Sequence, residues 1–221
     1  QQLGFANIKD DILKNVDSIN NKVIKRDSGV EITVKEISER ELREIHINNQ
    51  LEGFDVAKAT RVEKGNYGEL LTEKNMYKMG DLEDIMLDSE KLKNINDPTH
   101  KGIDLIFKNN TPPPEIVIVE SKFRMDAIKP TMNKNDIQMD DDWIGKNLED
   151  AIGKKKTMQI KKFLAQDVDN FNSGAKGSIP NVLKIASLVN PAGDIKFFEI
   201  GRKGEVLKEL LEEEIMQILK N

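Results

Sequence analysis

Apolar and polar positions repeat along the chain with two periods, and the switches between them mark the elements. Residues 5–25 set Ile8, Ile12, Val16, Ile19 and Val23 at helical intervals. Val30, Ile32 and Val34 then alternate as a short strand does. Ser38 with Glu41 has the form of a capping box, which opens a helix through Leu42 and Ile45; His46 reads there as a surface or boundary residue. In KGNYGELLTEKNMYKMG, residues 64–80, turn residues precede a helix with apolar positions at Leu70, Leu71, Met76 and Met79. A polar stretch over 81–101 has room for a strand at 84–87 and ends in the turn residues DPTHKG. Two strands follow in GIDLIFKNNTPPPEIVIVESK, residues 102–122, joined by a proline-rich turn. After a loop over 124–143, residues 145–171 read as one long helix bent at Gly153. Strands at 182–189 and 195–200 flank the turn NPAGD, and residues 204–219 read as a final acidic helix. The predicted fold is α/β: a mixed sheet flanked by helices, with an N-terminal helical segment. Residues 1–60 are expected to form a linker or docking segment, and residues 61–221 the domain that carries the chemistry.

The hairpin at 102–122 holds the candidate chemistry. Strand side chains alternate faces, so Glu120 and Lys122 share one face and Ser121 takes the other. A turn centred near Pro112 pairs Ile106 with Ile118 and sets Asp104 opposite Glu120. Directly opposed Cβ atoms lie about 4.5–5.5 Å apart. Two carboxylates that close repel each other, and in a half-buried sheet they call for a cation. A hard divalent metal held by oxygens meets that need, with Lys122 beside it. Acid pairs also occur on solvated hairpin faces that bind nothing, and that alternative stands beside the metal site. Glu69 has two readings as well: a first-turn acid complementing the helix dipole, or a third carboxylate aimed at the same cation.

Composition narrows the classes. The 221 residues suffice for one sizeable core, or a core with a small appendage. With 38% apolar and 33% charged residues the chain falls in the globular range. It has no cysteine, which rules out a disulfide framework and a thiolate zinc site. No apolar run approaches the roughly 18 residues of a membrane span, and no signal peptide is visible. The chain opens on Gln-Gln rather than Met, and is expected to be a piece of a larger protein. A net charge of -5 argues against a general nucleic-acid-coating surface, so a nucleic-acid enzyme would need a local basic patch. One exists between residues 146 and 162, where six lysines face two acids; a solvated helix face is the plainer account of it, and a phosphate-binding patch of Lys154, Lys155, Lys156, Lys161 and Lys162 the functional one.

Ile103-Asp104 followed by Glu120-Ser121-Lys122 resembles the PD-(D/E)xK nuclease superfamily. GNYGE, DPTHKGID, ESK, QMDDDWI and AIGKKK, in that order, resemble the C-terminal DNase domains of contact-dependent growth inhibition and related polymorphic bacterial toxins. The resemblance covers about residues 64–162 and implies a restriction-endonuclease-like fold. It implies that Asp104, Glu120 and the Ser121 carbonyl hold Mg²⁺, Mn²⁺ or Zn²⁺, and that Glu69 completes or orients the shell. Lys122 would position water and stabilise charge on the phosphorane. Around the site would stand Gln138, His100 (otherwise a turn histidine), Asp142 (otherwise an N-cap or first-turn acid) and Trp143 (otherwise a core-packing residue). The expected activity is phosphodiester hydrolysis, with DNA favoured over tRNA as substrate. The expected setting is a toxin delivered from its producer and acting in the target-cell cytoplasm, with a cognate immunity protein. An acidic inhibitor over the lysines at 154–162 would gain from charge complementarity. From another class, a non-catalytic effector or adaptor whose acidic surface binds a basic partner also suits the acidic C-terminus and low hydrophobicity.

Overall fold

The structure, a computed structural model, describes residues 37–98, 101–125, 129–131, 138–174 and 179–220, with the backbone of two short strands before them. The chain forms two compact units, residues 1–43 and 44–221. In the first, β1 (Ile24–Lys25) pairs antiparallel with β2 (Glu31–Ile32). The rest of the helix expected over 5–25 lies outside the described residues, but Ile24 and Lys25 are strand.

Helix α1 (Glu39–Leu51) starts where its capping box sets it. The Glu41 amide donates to Ser38 Oγ at 3.2 Å and the Ser38 amide to Glu41 Oε2 at 2.8 Å. Helix α2 (Arg61–Met79) begins earlier than its sequence suggests. A second reciprocal box, Thr60 with Glu63, opens it, so GNYG is helix interior rather than turn. Gly68 is there for close approach: a Cβ would sit 3.3 Å from Ser121 Oγ and 3.5 Å from Phe123 Cβ. Gly68→Val is expected to push α2 off the sheet and lower stability by about 1–3 kcal/mol, read as a lower midpoint in urea unfolding.

Six strands make one mixed sheet, in the order of the chain. They are β3 (Leu82–Asp84), β4 (Leu105–Asn109), β5 (Ile116–Phe123), β6 (Val182–Val189), β7 (Ile195–Ile200) and β8 (Val206–Leu210). Only β5 and β6 run parallel; the other neighbours are antiparallel. The β5–β6 connection carries α3 (Asp141–Ile152) and α4 (Lys154–Asn172). Between them Gly153 takes φ 76°, a conformation that suits glycine, and divides the expected single helix in two.

The run IVIV in β5 is apolar throughout because both its faces are covered. Val117 and Val119 join Leu105, Phe107, Leu183 and Ile185 in a core closed by α2 and α5 (Glu212–Leu219). Ile116 and Ile118 join Ile106, Val182 and Ala186 in a second core under α3 and α4. The final helix is shorter than expected: Val206–Leu210 is an edge strand paired with β7, and only Glu212–Leu219 is helical. Leu, Lys and Glu there favour a helix, but the turn after Ile200 returns the chain to an open sheet edge, and the pairing outweighs propensity.

Candidate active site

The β4–β5 register sets Ile106 against Ile118 and Leu105 against Val119, as the hairpin pattern predicts. Asp104 stands one residue before β4, and its Oδ2 accepts the Ser121 amide at 2.7 Å. Glu120 is 3% exposed. Its Oε1 accepts from Lys122 Nζ at 2.6 Å and from Gln138 Nε2 at 2.8 Å. Lys122 Nζ also donates to Gln138 Oε1 at 2.9 Å, which closes a triangle of acid, ammonium and amide. Glu120 Oε2 is buried and has no hydrogen-bond partner among the described residues.

Burial pushes the Glu120 carboxyl up to about 8, and the negative charge of Asp104 adds to it. Lys122 and Gln138 pull it back only in part. Burial and Asp104 together thus outweigh the Lys122 ammonium already bonded to this carboxyl.

Glu69 lies in the third turn of α2, 6% exposed, not in the first turn, so complementing the helix dipole does not account for it. Thr72, one turn on, fixes the helix to the sheet: its Oγ1 donates to the Gly68 carbonyl at 2.8 Å and lies 2.6 Å from Ser187 Oγ and 3.2 Å from Ser121 Oγ. Asn66 Nδ2 donates to the carbonyls of Ile95 and Asp97, which ties α2 to the segment leading to Asp104.

These elements enclose a cleft of about 840 Å³. Glu69, Asp104, Glu120, Ser121, Lys122, Gln138 and Trp143 all line it, so the predicted acids, the lysine beside them and two of their expected neighbours meet in one place. Asp142 is an exposed residue in the first turn of α3 and does not line the cleft; Asp140 is the N-cap, accepting the Trp143 amide at 2.6 Å. His100 lies outside the described residues. The lysines at 154, 155, 156, 161 and 162 are exposed on α4 and are not part of the lining; Lys156 Nζ donates to the Ile85 carbonyl. The cleft has other cations instead, Arg61 and Lys101, together with Asn66 and Asn147. Both cations have a signal in the sequence: Arg61 follows the Thr60 cap, and Lys101 stands three residues before Asp104.

Among the described residues no group of three or more His, Cys, Asp or Glu side chains forms a metal-holding cluster. No helix among them is long and apolar enough to cross a membrane. Fold and site together define a mixed α/β protein with a six-stranded sheet flanked by helices and a carboxylate–lysine cleft beside the central strand. No family model, no curated protein and no solved structure matches the chain.

Proposed function

We propose that the cleft is the active site of a divalent-metal-dependent nuclease of the PD-(D/E)xK type, with DNA ahead of tRNA as substrate. The observation that carries this reading is the convergence of Asp104, Glu120, Lys122, Glu69 and Gln138 on one cleft from α2, the β4–β5 hairpin and the segment before α3. The donors fit a hard cation. Glu120 Oε2 is a buried oxygen with no hydrogen bond among the described residues, and its carboxyl is held near 8 beside a second carboxylate. Mg²⁺ commonly binds through one or two carboxylates plus water and substrate phosphate, so two carboxylates suffice without a third.

Asp104 and Glu120 would hold the cation. When bound, it supplies Lewis-acid polarisation of the phosphodiester and a more acidic water. The chain's own groups do the rest. Lys122, held between Glu120 and Gln138, places a fixed ammonium where negative charge grows during displacement. Its role is electrostatic, since it is already donating to a carboxyl. Arg61 and Lys101 would meet the flanking phosphates within the cleft, and the exposed lysines of α4 would meet phosphates outside it. Glu69, which lines the same cleft, would complete or orient the shell around the cation. The Ser121 backbone amide helps set the direction of the Asp104 carboxylate.

The toxin version, with delivery from a producer and a cognate immunity protein, draws its support from the motif order GNYGE, DPTHKGID, ESK, QMDDDWI and AIGKKK. The deciding experiment is incubation of purified protein with plasmid DNA and with tRNA in Mg²⁺, Mn²⁺ or Zn²⁺, against EDTA. Cleavage only with a divalent cation is expected, faster on DNA. Full cleavage in EDTA, or none with any of the three metals, sinks the reading.

A further inference from the structure

We propose that Lys184, which does not line the cleft, is a positioning residue that holds Gln138 against Glu120 and Lys122. Lys184 lies in the middle of β6, opposite Ile118, and is 5% exposed. It interrupts an otherwise apolar face that packs under α3 and α4. A buried ammonium is costly there, and an apolar side chain of similar length would serve packing better. What the ammonium does is visible in its bonds. Nζ donates to the Met139 carbonyl at 3.0 Å and to Asp141 Oδ1 at 2.8 Å.

Met139 is the residue that needs holding. It has φ 69°, the one described non-glycine residue with positive φ, and is fully buried. That conformation is unfavourable for a residue with a Cβ and persists only when its surroundings enforce it. The left-handed step separates two opposite directions: Met139 enters the core under α3, while Gln138 lines the cleft. On the far side the chain is pinned again. Asp140 caps α3, the Asp141 amide donates to the Arg202 carbonyl at 3.0 Å, and Asp141 Oδ2 accepts from Arg202 Nε at 3.2 Å. Lys184 joins this anchor to the strand next to β5 and so fixes where Gln138 begins. Gln138 in turn bonds both Glu120 Oε1 and Lys122 Nζ. Lys184 does not line the cleft, so its influence passes through Gln138.

The geometric arm of the test stands on these bonds alone, and the kinetic arm rests on the nuclease reading. In protein labelled with ¹⁵N at glutamine side chains, the Gln138 amide is identified by its loss in Gln138→Ala. Lys184→Met is expected to keep the circular dichroism of the wild type and to speed hydrogen exchange of the Gln138 side-chain amide by about tenfold, the loss of one or two hydrogen bonds. Lys184→Arg should restore part of the protection. Where wild type cleaves nucleic acid, Lys184→Met should lower kcat by about tenfold with KM within about twofold, because Gln138 acts on Lys122 and not on phosphate. A folded Lys184→Met with unchanged Gln138 exchange overturns the proposal. If Lys184→Met does not fold, Asp141→Asn weakens the same anchor and is read the same way: faster exchange supports it and unchanged exchange overturns it. Absence of cleavage by wild type would count against the nuclease reading only, and the exchange comparison would still decide the role of Lys184.

Discussion

Asp104→Asn and Glu120→Gln should each lower metal-dependent cleavage at least about a thousandfold while leaving the fold intact. The size follows from what each removes. A cation held at reacting phosphate contributes several kcal/mol to the transition state, and about 1.4 kcal/mol is a factor of ten in rate. Asn in place of Asp104 still accepts the Ser121 amide, so the hairpin keeps its hydrogen bond. Gln in place of Glu120 still accepts from Lys122 and removes a buried ionisable group without removing volume. Both variants should therefore unfold no earlier than wild type in urea, and circular dichroism should match. Cleavage within tenfold of wild type in both would show that these carboxyls do not hold the catalytic cation.

Stability of the metal-free protein should fall as pH rises from about 4.5 to about 8. The sign follows from Glu120, whose carboxyl is raised to about 8 from 4.5 by burial and by Asp104. Between these values the unfolded chain has released the proton and the folded chain keeps it, so the folded state binds more protons. Raising pH then favours unfolding, with a slope on the order of 1 kcal/mol per pH unit, and the loss levels off above the folded value. Urea midpoints across this window in EDTA, for wild type and Glu120→Gln, measure it. The variant removes the group and should flatten the dependence, with its largest advantage near pH 8. Parallel curves for the two proteins would mean that Glu120 ionises normally in the fold.

The hairpin that organises the site was legible because two independent constraints agreed. Alternation in GIDLIF and EIVIVESK set the faces, and the proline turn set the register, so Ile106 meets Ile118. Strands β6 and β7 were legible for the same reason: β-branched runs bounded by a short polar turn. Where local signals conflicted, the reading failed. Val206–Leu210 has helix-forming composition and is strand, because an open sheet edge takes it. The residues GNYG look like a turn and are helix, because the Thr60–Glu63 box lies upstream and Gly68 serves contact with Ser121. Arg61, Lys101 and Asn66 reach the cleft through packing between segments far apart in sequence, which periodicity does not encode. Lys184 went unread in the sequence: a lysine within VLKIASLV becomes an anomaly only once the fold buries both faces of that strand.

The parallel pairing of β5 with β6 has a consequence for how the protein comes into being. Strand β5 carries Glu120, Ser121 and Lys122 just before its last residue, and each of these pairs with a residue of β6 between Ala186 and Leu188. The two strands are separated by the whole of α3 and α4. On a ribosome, which extends the chain at about 5–20 residues per second, β5 therefore waits several seconds with one edge bare. Long-range pairing of this kind is slow to form, because loop closure precedes any reward from contact. The Lys184 anchor arrives with the same late strand. Nascent chains that stop short of β6 hold every acidic residue of the cleft and still lack the neighbour that sets β5 in place, so a finished site is a property of the nearly complete chain.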